Sequence, residues 1–478
     1  MFPKGSACHG APMKIFARHA IVAVAAVTVA LVPACTAPQP KTTSVTLPVS
    51  WRNAADFPTA SPQSDLSRWW NQFGDARMSS LIREALAGNR DIASAMSRVR
   101  QAKAQSNAQR ASLFPTVDYS GSRSTSARYD DWTRTGSGTA YSAGLSASWE
   151  LDFFGKNRES VLASQADVEA AKENLYSAQA SLASEVALAY LDLRALEARL
   201  ETVHESLKTR EETTQLATWR AQAGEIDTLE LRQAESSLES ARSQISSLEQ
   251  NIGQSRNRLA ELCGKNPGDV TIGSGDVPSP QRRLAIGIPA DTIRQRPDVR
   301  AAGYNWVAAI SRTKSAEADR LPSLRLSGSL GVDTLTSSKL FNPESMASGI
   351  VAGISGPIFN AGRIRANIAS QSESEEQALL SYESSIITAL SEVEDALIAC
   401  RKTEERIVTL ERAAAASRDA SRLASQRYRA GVIDIINVLD TQRNDLAIKE
   451  TLINLRADRT AAHVQLYKAL GGGWSAES

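Results

Sequence analysis

The chain carries one pattern twice, at a constant spacing of 207 residues. Phe114-Pro115 and Leu321-Pro322 each end a polar, alanine-rich segment, and 322 − 115 = 207. The same offset relates three further pairs of positions: Gly155 with Gly362, Gly224 with Gly431, and Leu259 with Leu466. Because landmarks from position 115 to position 259 keep the offset without a gap, the chain consists of two tandem copies of one large supersecondary unit.

The composition favours long helices over several globular cores. A chain of 478 residues is long enough for three ordinary domains, but aromatic residues make up only 5% of it, which is little for cores of that size. Ala, Ser, Gln, Glu and Arg dominate instead, as in long helices that pack through small side chains. The net charge of +1 gives no indication of a nucleic-acid partner.

The N-terminus has the features of an export signal. An apolar run at residues 21–32 follows basic residues, and it is too short to span a bilayer. The run ends in Leu31-Val32-Pro33-Ala34-Cys35, which is similar to a bacterial lipobox. We therefore expect residues 1–34 to be removed and Cys35 to carry a lipid; the alternative is cleavage at the same place with Cys35 left as a free thiol. The sequence leaves open whether translation begins at the first residue or at Met13.

Each copy begins with an amphipathic helix. Apolar side chains recur at helical spacing over residues 76–112, and the counterpart in the second copy runs from Pro289 to Arg320. Both helices end at a residue followed by proline, a step that favours extended backbone.

A strict alternation follows each of these helices. From Tyr141 to Phe153 every odd position is apolar or aromatic, while the even positions hold Ser, Gly, Glu or Asp. The same period of two recurs from Leu324 to Val332 and again near residues 349–358, and it predicts β-strands with one apolar face. Strands of about ten residues with an aromatic end are typical of transmembrane β-barrels. The alternative is a small soluble sheet beneath the helices.

Two hairpins give four strands per chain, and this number constrains the assembly. Unpaired strand edges are not tolerated in hydrocarbon, and known single-chain barrels have about eight strands or more. Four strands cannot close a barrel by themselves, so several chains must share one. The Ser, Gly, Glu and Asp face of each strand would then line the lumen, and the apolar face would contact lipid.

A long helical hairpin completes each copy. No proline or glycine occurs between Gly155 and Gly224, or between Gly362 and Gly431, which predicts helices of about 100 Å. The predicted return helices cover residues 228–262 and 434–470. Each copy therefore ends in an antiparallel coiled coil.

The bends of the two hairpins have the residues that helix ends require. Gly224 and Gly431 suit the left-handed position after a helix, and Asp227 and Asp434 are placed to cap the return helices. Glu230, three residues after Asp227, completes a capping box. A structural role is therefore the first interpretation of both aspartates.

Five motifs together resemble those of the outer-membrane efflux factor family, in particular its TolC-like lipoproteins of the NodT/OprM type. They are Trp69-Trp70-Asn71-Gln72-Phe73-Gly74-Asp75, Trp149-Glu150-Leu151-Asp152-Phe153-Phe154-Gly155, Ile288-Pro289-Ala290-Asp291 with Arg296-Pro297-Asp298-Val299-Arg300-Ala301-Ala302, Pro357-Ile358-Phe359-Asn360-Ala361-Gly362-Arg363-Ile364, and Tyr467-Lys468-Ala469-Leu470-Gly471-Gly472-Gly473-Trp474. The resemblance covers nearly all of the chain after the signal peptide, and five motifs in order are far more specific than any one of them.

The resemblance implies an α+β membrane protein in the outer membrane of a Gram-negative bacterium, anchored by lipid at Cys35. It implies a homotrimer, in which each chain gives four transmembrane β-strands to a shared twelve-stranded β-barrel and long α-helical hairpins to a periplasmic helical barrel. The implied partners are a periplasmic adaptor (a membrane fusion protein), an inner-membrane pump of the resistance-nodulation-division class, and outer-membrane lipid. No cofactor, metal or nucleic acid is expected.

The repeat and the resemblance together predict the domain boundaries. These are residues 1–34 (lipoprotein signal peptide), 35–75 (lipid-anchored N-terminal segment), 76–263 (first copy, with a β-hairpin at 115–154 and a helical hairpin at 156–263), 264–288 (equatorial linker), 289–470 (second copy, with a β-hairpin at 322–358 and a helical hairpin at 362–470) and 471–478 (C-terminal tail).

The periplasmic gate of the family falls on the second copy. Matching the motif residue by residue implies a gate at Ile436, Asp440 and Arg443, with Tyr428 before the bend and Glu230 as an acid from the first copy. Three Asp440 carboxylates converging on one axis repel each other unless paired, and Arg443 lies one helical turn away. The alternative is that Asp440 and Arg443 merely form a solvated pair on a helix face.

Adaptor docking is expected at the two hairpin bends, from Arg220 to Asp227 and from Arg427 to Asp434. Both segments lie farthest from the membrane strands, and both carry an arginine four residues before the glycine, Gly224 or Gly431.

The sequence indicates a transport conduit and not an enzyme. His204 and His463 each stand alone on a helix, and no set of residues suggests catalysis. The expected function is the outer-membrane channel of a tripartite efflux pump, carrying drugs or other small toxic compounds outward. The alternatives are a structural envelope lipoprotein and a channel for type I protein secretion. The polar strand face favours a conduit over a tether, because a tether needs no polar-lined barrel.

Overall fold

In the computed structural model the described residues are 42–54, 57, 68–280, 289–340 and 342–472. The chain separates into two units, Met1–Ser44 and Val45–Ser478. Of the first unit only residues 42–44 are described, and they form no helix or strand. The predicted signal peptide and Cys35 lie outside the described residues.

The second unit repeats one order of elements: two helices, two strands and two long helices. In the first copy these are α1 (Ala76–Gly88), α2 (Arg90–Ala111), β1 (Thr116–Asp130), β2 (Thr133–Leu151), α3 (Lys156–Gln222) and α4 (Thr228–Leu262). In the second copy they are α5 (Pro289–Gln295), α6 (Pro297–Ala318), β3 (Ser323–Thr334), β4 (Met346–Ser355), α7 (Arg363–Arg429) and α8 (Ile435–Ala469). The predicted fold class, with long helical hairpins and four strands in two tandem copies, is confirmed.

The first helix of each copy is broken, which the sequence analysis did not predict. Instead of one helix over residues 76–112, α1 and α2 are separated at Asn89, and α5 and α6 are separated at Arg296. Asn89 Nδ2 donates to the carbonyl of Leu262 at 3.0 Å, and Arg296 Nη1 donates to the carbonyl of Ala469 at 2.9 Å. Both the donors and the acceptors are 207 residues apart, so the two copies make the same joint.

The joint exists because the end of each return helix has carbonyl groups without intrahelical partners. The side chains of Asn89 and Arg296 bind one such carbonyl each. The chain passes so close in the first copy that a Cβ on Gly264, whose φ is 68°, would lie 2.3 Å from the carbonyl oxygen of Gly88. The breaks also have local causes, because Asn89 Oδ1 accepts from Asp91 N and Ile92 N and so caps α2, and Pro297 is the first residue of α6.

The four strands form one antiparallel sheet in the order β1-β2-β3-β4. The pairings run from Thr116↔Ser148 to Asp130↔Thr133, from Tyr141↔Thr334 to Leu151↔Leu324, and from Ser323↔Ser355 to Val332↔Met346. The last strand begins at Met346, three residues before the predicted start near residue 349, because β3 pairs with it as far as Val332. Within the described chain β1 and β4 each pair with one strand, so each leaves one edge open.

The register places apolar and polar residues on opposite faces of the sheet. One row across all four strands holds Val117, Ala147, Gly328 and Ile350. The next row holds Thr116, Ser148, Ser327 and Val351. The alternation read from the sequence for β2 and β3 therefore continues into β1 and β4, with Val351 and Arg123 among the exceptions.

The main core lies where the N-terminal turn meets the end of α8. Trp69, which is 1% exposed, stacks on Tyr467 with 5.3 Å between ring centroids. The Tyr467 hydroxyl donates to Gln72 Oε1 at 2.6 Å. Nearby, Asp75 caps α1 at Met78 N and also accepts a hydrogen bond from the Tyr190 hydroxyl on α3. These contacts join both copies at one level of the long helices.

A segment that we call the strap, residues 45–53, runs along α7. Val45 and Leu47 pack on a cluster that includes Ile386. Farther along, Asn53 Nδ2 and the Arg52 backbone N–H both donate to the Glu394 carboxylate, at 2.6 and 2.7 Å. The strap thus runs away from the strands as its residue number rises.

Among the described residues, we find no helix with both the length and the apolar character needed to span a membrane. The same residues contain no group of three His, Cys, Asp or Glu side chains placed to hold a metal ion. Cys263 and Cys400 are free and buried, and burial raises the pKa of Cys400 to about 12.

Candidate gate and hairpin tips

The two hairpin bends share one backbone conformation. Gly224 and Gly431 have φ values of 75° and 72°. Glu225 N donates to the Arg220 carbonyl at 2.9 Å, and Val432 N donates to the Arg427 carbonyl at 3.0 Å. This is the hydrogen-bond pattern of a Schellman motif, in which glycine takes the left-handed position at no steric cost.

The two predicted caps differ. Asp227 Oδ1 accepts from Glu230 N at 3.0 Å, as expected for a side-chain cap. Asp434 occupies the capping position of α8, but its side chain makes no capping hydrogen bond, so this part of the prediction is wrong. Its backbone carbonyl instead accepts from Asn437 N at 3.2 Å, which tightens the first turn and removes the need for the carboxylate.

Arg220 connects the two bends. Its guanidinium carbon lies 4.8 Å from the centroid of the Tyr428 ring, and its Nη2 donates to the Arg429 carbonyl at 3.2 Å. Cation–π contacts of this length contribute about 0.5–2 kcal/mol, more when they are shielded from water. Because Arg220 ends α3 and Tyr428 ends α7, the contact holds the first hairpin to the second within one chain.

Tyr428 is buried and is therefore separate from the other predicted gate residues. It is 2% exposed, in a cluster with Ala217 and Ala234 of the first hairpin and Val438 of the second. Burial raises the pKa of the Tyr428 hydroxyl, and the nearby Arg220 cation opposes this rise. The structure places the ring between the two hairpins.

Ile436, Asp440 and Arg443 lie together on an exposed face of α8. Arg443 Nη1 and Asp440 Oδ1 are 3.3 Å apart, and the two side chains are 71% and 59% exposed. Ile436 lies one turn earlier and is 40% exposed. An exposed pair of this kind contributes roughly 0–1 kcal/mol within a single chain, so any larger effect requires other copies of the chain. Glu230 lies on the first hairpin and is half-buried.

Arg210 is a charged group near this face that the sequence analysis missed. It is 7% exposed on α3, and it donates to Ser206 Oγ and to the carbonyl and hydroxyl oxygens of Ser237. Within the described part of the chain it makes no ion pair with a carboxylate. Burial and the charge of Arg443 both lower the pKa of Arg210. An arginine in a polar helix normally indicates a solvated surface, so the sequence held no signal for it.

A second buried contact, also absent from the sequence analysis, holds α8 to α3 at this level. Gln442 Nε2 donates to Thr213 Oγ1 at 3.1 Å, and both side chains are buried. Gln442 immediately precedes Arg443, so the helix that carries the exposed pair is fixed to the first hairpin from its buried side. The exposed face of α8 cannot rotate without breaking this hydrogen bond.

The amino-acid sequence matches a model of the family described as outer membrane efflux protein, over residues 81–265 and 288–472. It is 32% identical over 460 residues to the pyoverdine export outer membrane protein OpmQ of Pseudomonas putida, covering 93% of this chain and 96% of the relative. It is 34% identical over 409 residues to the toluene efflux pump outer membrane protein TtgI of Pseudomonas putida, covering 84% and 87%.

Solved structures show the same architecture. The outer-membrane channel OprN has a TM-score of 0.85 and 31% identity, covering 91% of this chain and 99% of OprN. The crystal structures of CusC give a TM-score of 0.80 and 29% identity, covering 90% and 99%. The two family matches coincide with the two copies of the repeat.

Proposed function

Because the chain belongs to the outer membrane efflux protein family, we propose that it forms a trimeric conduit gated at its hairpin tips. The chain is an outer-membrane channel component of an efflux system, like its relatives. The family consists of channel proteins, and we propose no catalytic role for this member. The trimer, the gate, the docking tips, the lipid anchor and the cargo are the proposals that follow.

The observation that carries the trimer is a four-stranded sheet with two open edges. One face exposes apolar side chains that only lipid would cover, among them Ile350 and Ile354 at 82% and 74% exposure. A sheet in lipid must close into a barrel. Two copies would give eight strands, a barrel whose interior is filled by side chains, so three copies give the smallest barrel with an open lumen. Native mass spectrometry of the detergent-purified protein should show three chains. A folded monomer with intact strands contradicts the shared barrel.

The gate is proposed at Ile436, Asp440 and Arg443. Their exposed face on α8 is the part of the second hairpin available to converge on the axis of a trimer. The neighbouring hairpin contact between Arg220 and Tyr428 holds the tips in the arrangement seen here, and an adaptor that binds the tips has to outweigh it. Single-channel conductance in planar bilayers tests the gate, as set out in the Discussion.

Docking of a periplasmic adaptor, itself coupled to an inner-membrane pump, is proposed at the bends. A Cβ at Gly224 meets no atom within 4 Å, so valine there would act only through its unfavourable positive φ. Gly224→Val and Gly431→Val should therefore impair efflux while leaving expression and trimer formation normal. Gly253→Val is the matched control, because this glycine lies within α4 and also has open space around it. If hosts that carry the three variants are equally susceptible to solvents, the adaptor does not dock at the bends.

The strap supports a lipid anchor at Cys35. The stretch of α7 from Arg363 to Ile386 covers about 35 Å, and Val45 packs at the level of Ile386. Ten residues separate Cys35 from Val45, and an extended chain of that length spans at most about 35 Å. The chain is therefore long enough for Cys35 to reach the level at which α7 begins, next to the strands.

The cargo is proposed to be small organic compounds. Two of the relatives are named for pyoverdine and toluene, which are small organic molecules, and this favours efflux over type I protein secretion. The polar row of the sheet argues against a purely structural envelope lipoprotein, because a tether needs no polar-lined barrel. The proposal is tested by deleting the chromosomal gene and measuring survival of the native host in toluene. Unchanged survival without the gene would contradict it.

A further inference from the structure

The hairpin of β1 and β2 is longer than the rest of the sheet. The outermost pair between β2 and β3 is Tyr141↔Thr334, while β1 and β2 continue to pair as far as Asp130↔Thr133. Residues 124–140 therefore form a two-stranded ribbon without a third strand in the described chain. Seven residues of β1 and eight of β2 extend about 25 Å beyond the sheet. The ribbon is at the end of the strands opposite the helices, so it projects outward from the membrane.

Aromatic residues place the lipid boundary at the base of this ribbon. Tyr141 to Leu151 is the part of β2 paired with β3, about 34 Å long and roughly 26 Å along the membrane normal at a tilt of about 40°. The apolar band of such barrels is about 25 Å high with aromatic residues at both limits. Phe153 and Phe154, 76% and 51% exposed, mark the inner limit. Tyr141 marks the outer limit.

Arg123 lies at this outer limit on the lipid-facing side. It pairs with Tyr141 in the ladder and stands in the same column as Tyr119 and Val117, four and six residues earlier. Its guanidinium carbon lies 5.8 Å from the centroid of the Tyr141 ring, within the range of a cation–π contact. In the described part of the chain Arg123 makes no ion pair with a carboxylate. A stacked, exposed guanidinium thus faces the headgroup layer without a counter-ion from its own chain.

Hydroxyl groups continue the same column above Arg123. Thr125 and Thr139 are directly paired two residues farther out, on the face that carries Arg123 and Tyr141. From the membrane outward, the column presents an apolar band, an arginine on an aromatic ring, and hydroxyl groups. This order matches the acyl chains, the phosphate and the sugar of a phosphorylated glycolipid. Guanidinium binds phosphate through two parallel hydrogen bonds, and hydroxyl groups can donate to and accept from sugar hydroxyls.

We propose that Arg123, stacked on Tyr141, binds a phosphate of the phosphorylated glycolipid in the outer leaflet, with Thr125 and Thr139 contacting its sugar. The inference rests on the outer-membrane location of the strands and is independent of the gate and the docking tips. The site fixes the height of the barrel in the asymmetric membrane, because it engages one leaflet only.

The test uses the assembled full-length protein in detergent and bisphosphorylated lipid A as the probe, with bound lipid counted by native mass spectrometry. Arg123→Gln should weaken binding by about tenfold, the loss expected for a charge-assisted hydrogen bond. Arg128→Gln is the matched control, since Arg128 is also exposed on β1 but stands on the opposite face. Dephosphorylated lipid A should bind the wild type as weakly as lipid A binds Arg123→Gln.

Three results would overturn the proposal: equal binding by the Arg123→Gln and Arg128→Gln proteins, equal binding of the dephosphorylated probe, or equal binding of phosphatidylglycerol, which carries phosphate without a sugar. If Arg123→Gln does not assemble, Arg123→Lys keeps the charge and removes the planar fork. That variant should bind less lipid A than the wild type, and undiminished binding would also refute the site.

Discussion

Replacing Ile350 with lysine tests the assignment of the two sheet faces. Ile350 is the fifth of the ten residues of β4, so it lies about 13 Å from either end of the apolar band along the membrane normal. A lysine on the lipid face at the middle of a bilayer costs about 2–4 kcal/mol. In a trimer the substitution occurs three times in one barrel, which gives roughly 6–12 kcal/mol for the assembly. Such a loss is comparable to the whole stability of an ordinary domain.

The matched control is Val351→Lys. Val351 follows directly, is also exposed at 65%, and stands in the row with Ser148 and Ser327 that faces the lumen. Its lysine would remain in water and should change stability little. Both variants are folded into lipid vesicles. Their stability is then measured by the loss of the heat-resistant oligomer on gels and by urea titration. Equal effects of the two substitutions, or a larger effect at Val351, would refute the assignment of the faces.

Three further predictions concern the anchor, the gate and the ion pair between Glu84 and Lys265. Mass spectrometry of the mature protein should find a diacylglyceryl group on Cys35, and an unmodified terminus contradicts the anchor. Cys35→Ser should lower the amount of protein that reaches the outer membrane, while trimers still form. Asp440→Ala should raise the conductance of the channel and weaken its cation preference in planar bilayers, because Arg443 then repels its symmetry mates. The Asp440→Ala/Arg443→Ala double variant shows whether the two residues act as a pair. If Asp440→Ala conducts like the wild type, the constriction lies elsewhere. A hydrogen bond from Lys265 is the main cause that lowers the pKa of Glu84 to about 2. The contribution of Glu84 to stability is therefore complete above the unfolded pKa of 4.5 and is lost as the pH falls towards 2. Glu84→Gln should make the unfolding midpoint less dependent on pH between pH 5 and pH 2, and an unchanged pH profile would exclude this role.

Local patterns predicted the features that depend on local chemistry. The alternation from Tyr141 to Phe153 predicted which residues share a face of the sheet, because a side chain's face on a strand depends only on its position. The absence of glycine and proline predicted the long helices, and Gly224 and Gly431 predicted their ends. The duplicated order of elements followed from the constant offset.

The sequence could not predict features that depend on distant partners. The hydrogen bond from Asn89 to the Leu262 carbonyl, 173 residues away, could not be predicted from the local sequence, although Asn89 and Pro297 are local signals for the two breaks that the sequence analysis missed. The burial of Arg210 and Tyr428 depends on how the two hairpins pack against each other. The missing side-chain cap at Asp434 depends on a single backbone hydrogen bond. For Arg210 and Tyr428 tertiary packing decided between local alternatives of similar energy.

The joint that closes each copy has a consequence for how the two halves can diverge. In the first copy a neutral amide, Asn89, binds the carbonyl through Nδ2 and caps α2 through Oδ1, so a substitution there costs neutral hydrogen bonds only. In the second copy Arg296 binds the carbonyl while also pairing with Asp298 and Glu392, each at 2.6 Å. Loss of either acid leaves a buried guanidinium short of a partner, which costs more than a neutral contact. Substitutions at the second joint therefore cost more than those at the first, and that restraint falls on the half of the duplicated chain that contains Asp440.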